Sequence, residues 1–264
     1  MEVTFAHFGE EVASSRLRAT IPQAELAKMG IGKGRDVLIY GKHFVEEHQL
    51  EPFKKRIYDV CDDHFDHETL GKYYRRHVEM ADIVTCNSET MQAIIKAKTG
   101  RYAFVIHEPY EHEEQAPAIE PRLFWYGHKS NLCDIERLKP DLRHPLLIMT
   151  NQTGYPQWSS TAFKNAMDMN PIVVIPTGKS MAKSENRMVE AIRCGRYVCA
   201  EYLPAYEPFT SFFPLGNIPA QIDVVLANPL AAMAKIKDAQ GFIRERYSPA
   251  TIAGQWLEVI QRCR

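Results

Sequence analysis

The 264-residue sequence lacks three features that would each point to a class of protein. It has almost no net charge, with 32 Lys and Arg against 33 Asp and Glu, so no overall field attracts nucleic acid or a membrane. Its six cysteines form no C-x-x-C pair, which argues against a zinc site and a disulfide framework. No stretch approaches the roughly 18 apolar residues of a membrane span, and the charged N-terminus does not resemble a signal peptide. We therefore expect a cytoplasmic protein, at most peripheral to a membrane.

Short apolar runs alternate with helical patterns along the chain. β-branched and aromatic residues predict nine strands, at residues 2–8, 36–42, 55–61, 82–88, 102–108, 122–127, 144–152, 170–178 and 196–203. Helical patterns are found at residues 14–30, 67–81, 88–100, 132–139, 159–168, 184–194 and 249–263. Strands and helices in alternation imply parallel sheets covered by helices.

An acidic segment divides this alternation in two. The stretch PYEHEEQAPAIEP, at residues 109–121, is bounded by prolines and has no periodicity, so it predicts an interdomain linker. We expect two successive α/β domains with a cleft between them, one over residues 1–118 and one over residues 119–264. In open α/β sheets, ligands bind beyond the carboxyl ends of the strands.

The helix predicted over residues 184–194 carries the first candidate site. It follows the apolar strand IVVIP and points its positive N-terminal end toward the crevice beyond the carboxyl ends of the strands, where an anion is favoured. Asn186 and Glu190 are four residues apart on one polar face. The Glu190 carboxylate could accept hydrogen bonds from the vicinal diol of a nucleotide ribose. Alternatively, Glu190 is a solvated residue paired with Arg187 or Arg193.

Several segments, in order, resemble those of GT-B glycosyltransferases, the retaining, nucleotide-sugar-dependent group 1 or family 4-like proteins. ENRMVEAIRCGRYVCAEYLPAY resembles the donor-site segment, and RLFWYGHKSNL is similar to the glycine turn that opens the second domain. SSRLRATIP, IYDVCDD and ADIVTCNSETM resemble pieces of the first domain. YSPATIAGQWLEVI resembles the closing helix, predicted here over 249–263, that crosses back to the first domain. The resemblance implies two Rossmann-like domains facing a cleft, with a shortened N-terminal domain.

The resemblance also implies roles for individual residues. The donor-binding set it predicts is Gly127, His128, Lys129, Lys183, Asn186, Arg187 and Glu190. Glu190 would bind the donor ribose and Arg187 its pyrophosphate, while the glycine turn allows close backbone approach. Many retaining members carry a second glutamate where this sequence has Lys183. A lysine there could bind phosphate in place of the sugar contact.

The acidic stretch CDDHFDH supplies candidate catalytic residues. Asp62, Asp63 and His64 follow a predicted strand and should face the cleft, where one could activate an acceptor hydroxyl or stabilise an oxocarbenium-like sugar. The alternative is a polar loop in which an aspartate caps the next helix. The stretch lacks D-x-D spacing, so no metal is expected. The resemblance assigns Ser15 and Arg16 to an acceptor or phosphate loop.

The stretch KYYRRH mixes basic and aromatic residues on a predicted helix. Lys72, Tyr73, Tyr74, Arg75 and Arg76 could contact an anionic acceptor, such as a lipid phosphate at a membrane or a nucleic acid. The alternative is a solvated helix face, which most runs of charge are.

These features predict a metal-independent glycosyltransferase that moves a sugar from a nucleotide-sugar donor to a glycan, a lipid-linked acceptor or a small molecule. The nucleotide sugar is a substrate, and no cofactor is expected. One alternative is a non-catalytic nucleotide-sugar-binding module of the same fold. Another is a transferase that glycosylates DNA bases, which only KYYRRH and the basic run at residues 54–56 favour.

Overall fold

The computed structural model describes residues 1–6, 9, 12–41, 45–178 and 180–263. The strands are β1 (Glu2–Phe5), β2 (Gly32–Gly41), β3 (Lys55–Val60), β4 (Ile83–Cys86), β5 (Ala103–Val105), β6 (Leu123–Tyr126), β7 (Leu146–Met149), β8 (Ile172–Ile175) and β9 (Tyr197–Ala200). The helices are α1 (Ala13–Ser15), α2 (Ile21–Lys28), α3 (Glu47–Leu50), α4 (Leu70–Met80), α5 (Glu89–Thr99), α6 (Leu132–Leu138), α7 (Ser160–Met169), α8 (Asn186–Arg193), α9 (Ile218–Ala227), α10 (Pro229–Arg246) and α11 (Pro249–Gln261). A π-helix, Arg16–Thr20, joins α1 to α2, and 3-10 helices cover Lys129–Asn131, Lys139–Asp141 and Pro204–Phe209.

Eight predicted strands contain an observed one, the remaining one overlaps β2, which begins four residues before its predicted start, and the seven predicted helices are confirmed. Residues 7, 8 and 42 of the predicted strands lie outside the described residues. Helix α5 has the predicted ends, since the Ser88 side chain accepts from the Met91 N–H and Gly100 adopts a φ of 73°. Helices α3, α9 and α10 were not predicted.

The strands form two parallel sheets, as their alternation with helices predicts. The first has the order β1-β2-β3-β4-β5 and the second β7-β6-β8-β9. Parallel sheets are covered on both faces, which explains why all four residues of β8, IVVI, are buried.

The chain divides into two compact units, each with one sheet. Unit 1 consists of Met1–Glu111, Ala182–Ser184 and Arg246–Arg264, and unit 2 of His112–Met181 and Glu185–Glu245. In unit 1, α11 packs on the first sheet, where Trp256 makes an edge-on ring contact with Phe5 at 5.4 Å. Unit 2 holds the whole second sheet and α6 to α9.

The first residues of unit 2 run beside the end of α8 without forming a helix or strand. The Gln115 N–H donates to the Arg193 carbonyl and the Ala118 N–H to the Gly195 carbonyl, both at 3.1 Å. Gly195 ends α8 with a φ of 70°, and a Cβ there would lie 2.4 Å from the carbonyl oxygen of Ala116. A glycine is therefore required by the backbone angle and by the close packing.

Candidate functional site

Helix α8 places the central candidate residue, Glu190, in unit 2. Met188, Val189 and Ile192 are buried on its apolar side, which fixes the rotation of the helix. Glu190 is itself buried, with 11% of its side chain exposed, so the solvated alternative is wrong. Its carboxylate accepts the backbone N–H of His112 at 3.2 Å and contacts the imidazole Nδ1 of the same residue.

His112 is held in place from its other side. Its carbonyl accepts a hydrogen bond from Arg193 Nε at 3.1 Å, and Arg193 also pairs with Glu114 at 2.6 Å. The Glu190 carboxylate is thus oriented by a segment that is itself tied to α8. Fixed orientation lowers the entropy that a carboxylate loses when it binds a diol.

Arg187 lies beside the glycine turn that follows β6. Its Nη1 is 3.5 Å from the Tyr126 carbonyl, and the Tyr126 hydroxyl donates to the Arg187 carbonyl at 3.0 Å. A Cβ at Gly127 would lie 3.7 Å from Arg187 Nη1 and 3.0 Å from the Trp125 ring. The structure therefore brings Gly127 and Arg187 together.

The next two residues of this turn are exposed. The Lys129 N–H donates to Asn151 Oδ1 at 2.8 Å, and His128 Nδ1 accepts the Ser130 N–H at 3.3 Å. These bonds fix the backbone of the turn and leave the Lys129 side chain in solvent. A positive charge next to Gly127 suits a phosphate ligand.

Lys183 does not share a unit with the other predicted donor-binding residues. It belongs to the three-residue piece of unit 1, Ala182–Ser184, in which Ser184 Oγ donates to Glu108 at 2.5 Å. Asn186 begins α8 in unit 2 and is half-buried. The predicted set is therefore divided, with six residues in unit 2 and Lys183 in unit 1.

The acidic stretch lies in unit 1 at the carboxyl end of β3, as its sequence position predicts. Asp62 and His64 are half-buried, and the edge of the His64 ring meets Tyr74 at 5.4 Å. Asp63 is exposed and accepts the Phe65 N–H at 3.3 Å. A polar loop at the end of a parallel strand is a common place for functional groups.

The helix-capping alternative for this stretch is wrong, because the N-cap of α4 is Thr69 and not an aspartate. His67 Nδ1 accepts the N–H groups of Thr69 and Leu70 where α4 begins, at 3.3 and 3.4 Å. Asp66 instead forms an ion pair with Lys98 at 2.7 Å. A histidine therefore contacts the backbone where α4 begins, but it does not bond the second and third helical N–H groups as a capping aspartate would.

Ser15 and Arg16 lie in the helical stretch that follows β1. Ser15 is buried, and the guanidinium of Arg16 forms a two-pronged ion pair with Glu111, at 2.5 and 3.0 Å. An anionic acceptor at Arg16 would have to displace this carboxylate.

The basic and aromatic stretch on α4 does not present all five side chains to solvent. Tyr74 is buried and Tyr73 half-buried, and the Tyr73 hydroxyl accepts the Val45 N–H. Arg76 pairs with Glu47 at 3.0 Å, while Arg75 donates to the Phe65 carbonyl at 2.7 Å. Lys72 is exposed.

Comparison with known proteins gives structural matches only. No protein-family model and no curated protein sequence matches this chain. A mutant of S. aureus TarM, in complex with Fondaparinux, alpha-GlcNAc-glycerol and UDP, matches with a TM-score of 0.57 and 16% identity, over 84% of this chain and 54% of that one. Another structure of TarM matches with a TM-score of 0.55 and 16% identity, over the same shares of the two chains. An alpha-glucosyltransferase in complex with UDP-glucose and DNA containing an abasic site matches with a TM-score of 0.59 and 10% identity, over 92% of this chain and 84% of that one.

The chain has a GT-B glycosyltransferase-like fold. It spans about half the length of the TarM structures it matches.

Sequence reasoning missed a buried ion pair of this GT-B-like chain. In unit 1, Arg18 Nε and Nη2 donate to the two carboxylate oxygens of Asp59 at 2.9 and 2.5 Å, and Thr85 Oγ1 donates to the same group at 2.7 Å. Burial alone would lower the pKa of Arg18, but the Asp59 carboxylate raises it above its usual value. An aspartate inside the apolar strand run IYDVC was the available signal.

This ion pair adjoins a small cavity of about 30 Å³ whose wall includes Ser15, Tyr40 and Cys61. The cavity lies where β2 and β3 end, near the start of the acidic stretch. Asp59 and Arg18 therefore give this end of the sheet a fixed arrangement of charge.

Within the part of the chain that the structure describes, no helix combines the length and the apolar character needed to cross a membrane.

Proposed function

We propose that this chain is a glycosyltransferase of GT-B architecture that uses a nucleotide-sugar donor. Unit 2 would be the donor domain, expected over residues 119–264, and unit 1 the shortened acceptor-side domain, expected over residues 1–118. The last helix, expected to cross back from the donor domain, belongs to unit 1 as α11. The structures that match include TarM in complex with UDP and an alpha-glucosyltransferase in complex with UDP-glucose. They support a nucleotide sugar as the donor.

The observation that carries the proposal is the Glu190 carboxylate, buried and oriented on α8. In the proposed complex it accepts both hydroxyls of the ribose. A carboxylate is an acceptor only and offers two oxygens, so it suits a vicinal diol better than an amide does. Charge-assisted hydrogen bonds of this kind contribute about 1.5 to 3 kcal/mol each.

The donor pyrophosphate would be bound without a metal ion. Arg187, the exposed Lys129 and the N-terminal N–H groups of α8 supply positive charge, and Gly127 allows close backbone approach. His128 would also contact the pyrophosphate, and a phosphate contact of Lys183 stays a prediction from the sequence. Transfer should therefore continue when a chelator is present.

Asp62, Asp63 and His64 are the proposed catalytic residues. One of them would accept the proton of the acceptor hydroxyl or stabilise positive charge on the sugar as the bond to the nucleoside diphosphate breaks. Their position at the carboxyl end of β3 supports this role. The acceptor would be a glycan, a lipid-linked group or a small molecule, and Ser15 and Arg16 would contact it or its phosphate.

The test is a panel of nucleoside diphosphate sugars, with binding and slow hydrolysis measured on the same samples. We expect one donor to bind and to release its nucleoside diphosphate slowly, because an active site transfers some sugar to water. A donor that binds and stays intact would favour the non-catalytic binding module. If no nucleotide sugar binds, both functions are wrong.

DNA is a second candidate acceptor because of one structural match. The alpha-glucosyltransferase solved with UDP-glucose and DNA covers 92% of this chain and 84% of its own length. The near-zero net charge argues against strong DNA binding. With a labelled donor, incorporation of label into duplex DNA would support this acceptor, and label that reaches only water would exclude it.

A further inference from the structure

Three side chains of unit 2 bring nitrogen, oxygen and sulfur atoms together. His112 Nδ1, a Glu190 carboxylate oxygen and Cys194 Sγ all lie within 4.8 Å of one another. Glu190 and Cys194 are buried, and 17% of the His112 side chain is exposed. Among the described residues this is the group of histidine, cysteine and acidic side chains whose spacing suits a metal ion.

The backbone holds these three residues in place before any ligand binds. Glu190 and Cys194 are four residues apart at the end of α8, so their side chains point to the same side of the helix. The sulfur is 3.9 Å from Glu190 Oε1. His112 is fixed by its N–H bond to Glu190 and by the bond from Arg193 to its carbonyl.

The three ligand atoms, a nitrogen, an oxygen and a sulfur, favour one class of metal. Imidazole, carboxylate and thiolate are zinc ligands, with bonds of about 2.0 to 2.3 Å in tetrahedral geometry. Such an ion holds its ligands roughly 3.3 to 3.8 Å apart, so the carboxylate-to-sulfur distance needs little change. Mg²⁺ and Ca²⁺ prefer oxygen ligands only. The C-terminal end of α8 also favours a positive charge.

We propose that His112, Glu190 and Cys194 form a Zn²⁺ site and that zinc bound there excludes the nucleotide-sugar donor. Three protein ligands leave a fourth position for water. Binding releases the Cys194 thiol proton to solvent. The exclusion of donor rests on the proposed function, because it requires that Glu190 bind the donor ribose. Zinc is then an inhibitor of a reaction that itself needs no metal.

This site differs from the structural zinc sites that the cysteine spacing argues against. Those use C-x-x-C pairs, whereas this one takes a single cysteine and a histidine far away in sequence. The sequence alone does not indicate this site, because His112 meets Glu190 and Cys194 only where the 112–121 segment packs beside α8.

The metal site is tested with Co²⁺ as a spectroscopic substitute for Zn²⁺ on the full chain. We expect a thiolate-to-cobalt charge-transfer band that stoichiometric Zn²⁺ removes. Cys194→Ser should abolish the band, and His112→Gln should weaken zinc binding at least tenfold in competition with a chromophoric chelator. The matched control is Cys133→Ser, which changes an exposed cysteine on α6 and should bind zinc as the parent does.

Two results would overturn the site. One is the absence of a charge-transfer band in the folded parent. The other is an unchanged zinc affinity in both Cys194→Ser and His112→Gln, each shown to be folded by its melting temperature. Neither measurement uses a nucleotide, so the outcome does not depend on the proposed function.

The exclusion of donor is tested by titrating uridine diphosphate into the parent and into Cys194→Ser, with and without one equivalent of Zn²⁺. We expect zinc to weaken nucleotide binding at least tenfold in the parent, and a chelator to restore it. Zinc should have no such effect in Cys194→Ser. Equal nucleotide affinity in the zinc-loaded and zinc-free parent would show that the two ligands do not compete.

Discussion

At the scale of single residues, substitutions in the acidic loop after β3 distinguish an enzyme from a protein that only binds the donor. Asp62, Asp63 and His64 belong to unit 1, whereas Glu190 and Arg187 belong to unit 2. Chemistry and donor affinity should therefore respond to different substitutions.

We predict that Asp62→Asn, Asp63→Asn or His64→Gln lowers turnover about 10²-fold or more, because a positioned general base or charge stabiliser contributes about 10² to 10⁴ in rate. Donor affinity and melting temperature should stay near those of the parent. The matched control is Asp66→Asn in the same loop, whose carboxylate pairs with Lys98. Three fully active, well-folded variants would remove this loop from the mechanism.

The buried side chain of His77 should make the stability of unit 1 depend on pH. It is buried against Tyr73 at 4.0 Å between ring centres, and its Nδ1 is 3.1 Å from the Tyr40 hydroxyl. Burial lowers the pKa of His77 to about 4, from its usual value near 6.5, although Glu47 nearby raises it slightly. Between these two values the unfolded chain binds more protons than the folded one.

We therefore predict that the free energy of unfolding falls as the pH drops from about 6.5 to 4, by at most about 3 kcal/mol from this residue. In His77→Gln, whose side chain stays neutral, this part of the loss should be absent. The measurement is denaturant unfolding of both proteins at several pH values. Parallel curves for the parent and the variant would show that His77 does not contribute.

At the scale of elements, the end of α8 depends on the segment that follows Glu111. Gly195 combines a positive φ with a carbonyl oxygen only 2.4 Å from the position of a Cβ. Gly254, inside α11, has open space around it and a helical backbone. The two glycines make a matched pair for substitution.

We predict that Gly195→Ala lowers the free energy of unfolding by at least about 1 to 2 kcal/mol, because alanine is disfavoured at this φ and the 112–121 segment must shift. Gly254→Ala should instead stabilise by about 0.5 to 1 kcal/mol, since alanine is the better helix former. Thermal or denaturant unfolding measures both changes. A Gly195→Ala protein as stable as the parent would contradict the packing described for this helix end.

Elements were predictable where their pattern was local. The apolar runs located all nine strands, and caps such as Ser88 and Gly100 gave helix ends to within a residue or two. Helix α10 was missed because its buried positions include small or polar residues, Ala232, Ala239 and Gln240, and because Gly241, a poor helix former, lies in its sequence. The buried face of α10 is therefore only weakly apolar, and its sequence does not show a clear helical pattern.

The candidate site was only partly predictable from the sequence, because several of its contacts join residues that are distant along the chain. The sequence placed Glu190 on a helix after a buried strand, and the structure confirms that placement. Nothing local indicated that Glu190 is buried against His112, and the aspartate inside the apolar run IYDVC indicated a buried charge without identifying Arg18 as its partner. Each contact joins residues more than forty positions apart, so only the folded chain reveals it.

At the scale of the whole molecule, the proposed function requires that unit 2 bind a nucleotide sugar through Glu190. The fold that this chain shares with glycosyltransferases at 10 to 16% identity includes a separate parallel sheet in unit 2. Donor binding to the full chain is therefore the property that the proposed function requires first.

The most direct test is calorimetric titration of the best nucleoside diphosphate sugar into the parent, Glu190→Gln and Glu120→Gln, with a chelator present. Glu120 is an exposed glutamate of the same unit that pairs with Arg122, so its substitution controls for the loss of one negative charge. We predict that Glu190→Gln weakens donor binding roughly 10- to 100-fold, because the amide keeps one acceptor oxygen and loses the other charge-assisted hydrogen bond, worth about 1.5 to 3 kcal/mol. Glu120→Gln should bind like the parent. Equal affinity in the parent and a folded Glu190→Gln protein would contradict the account.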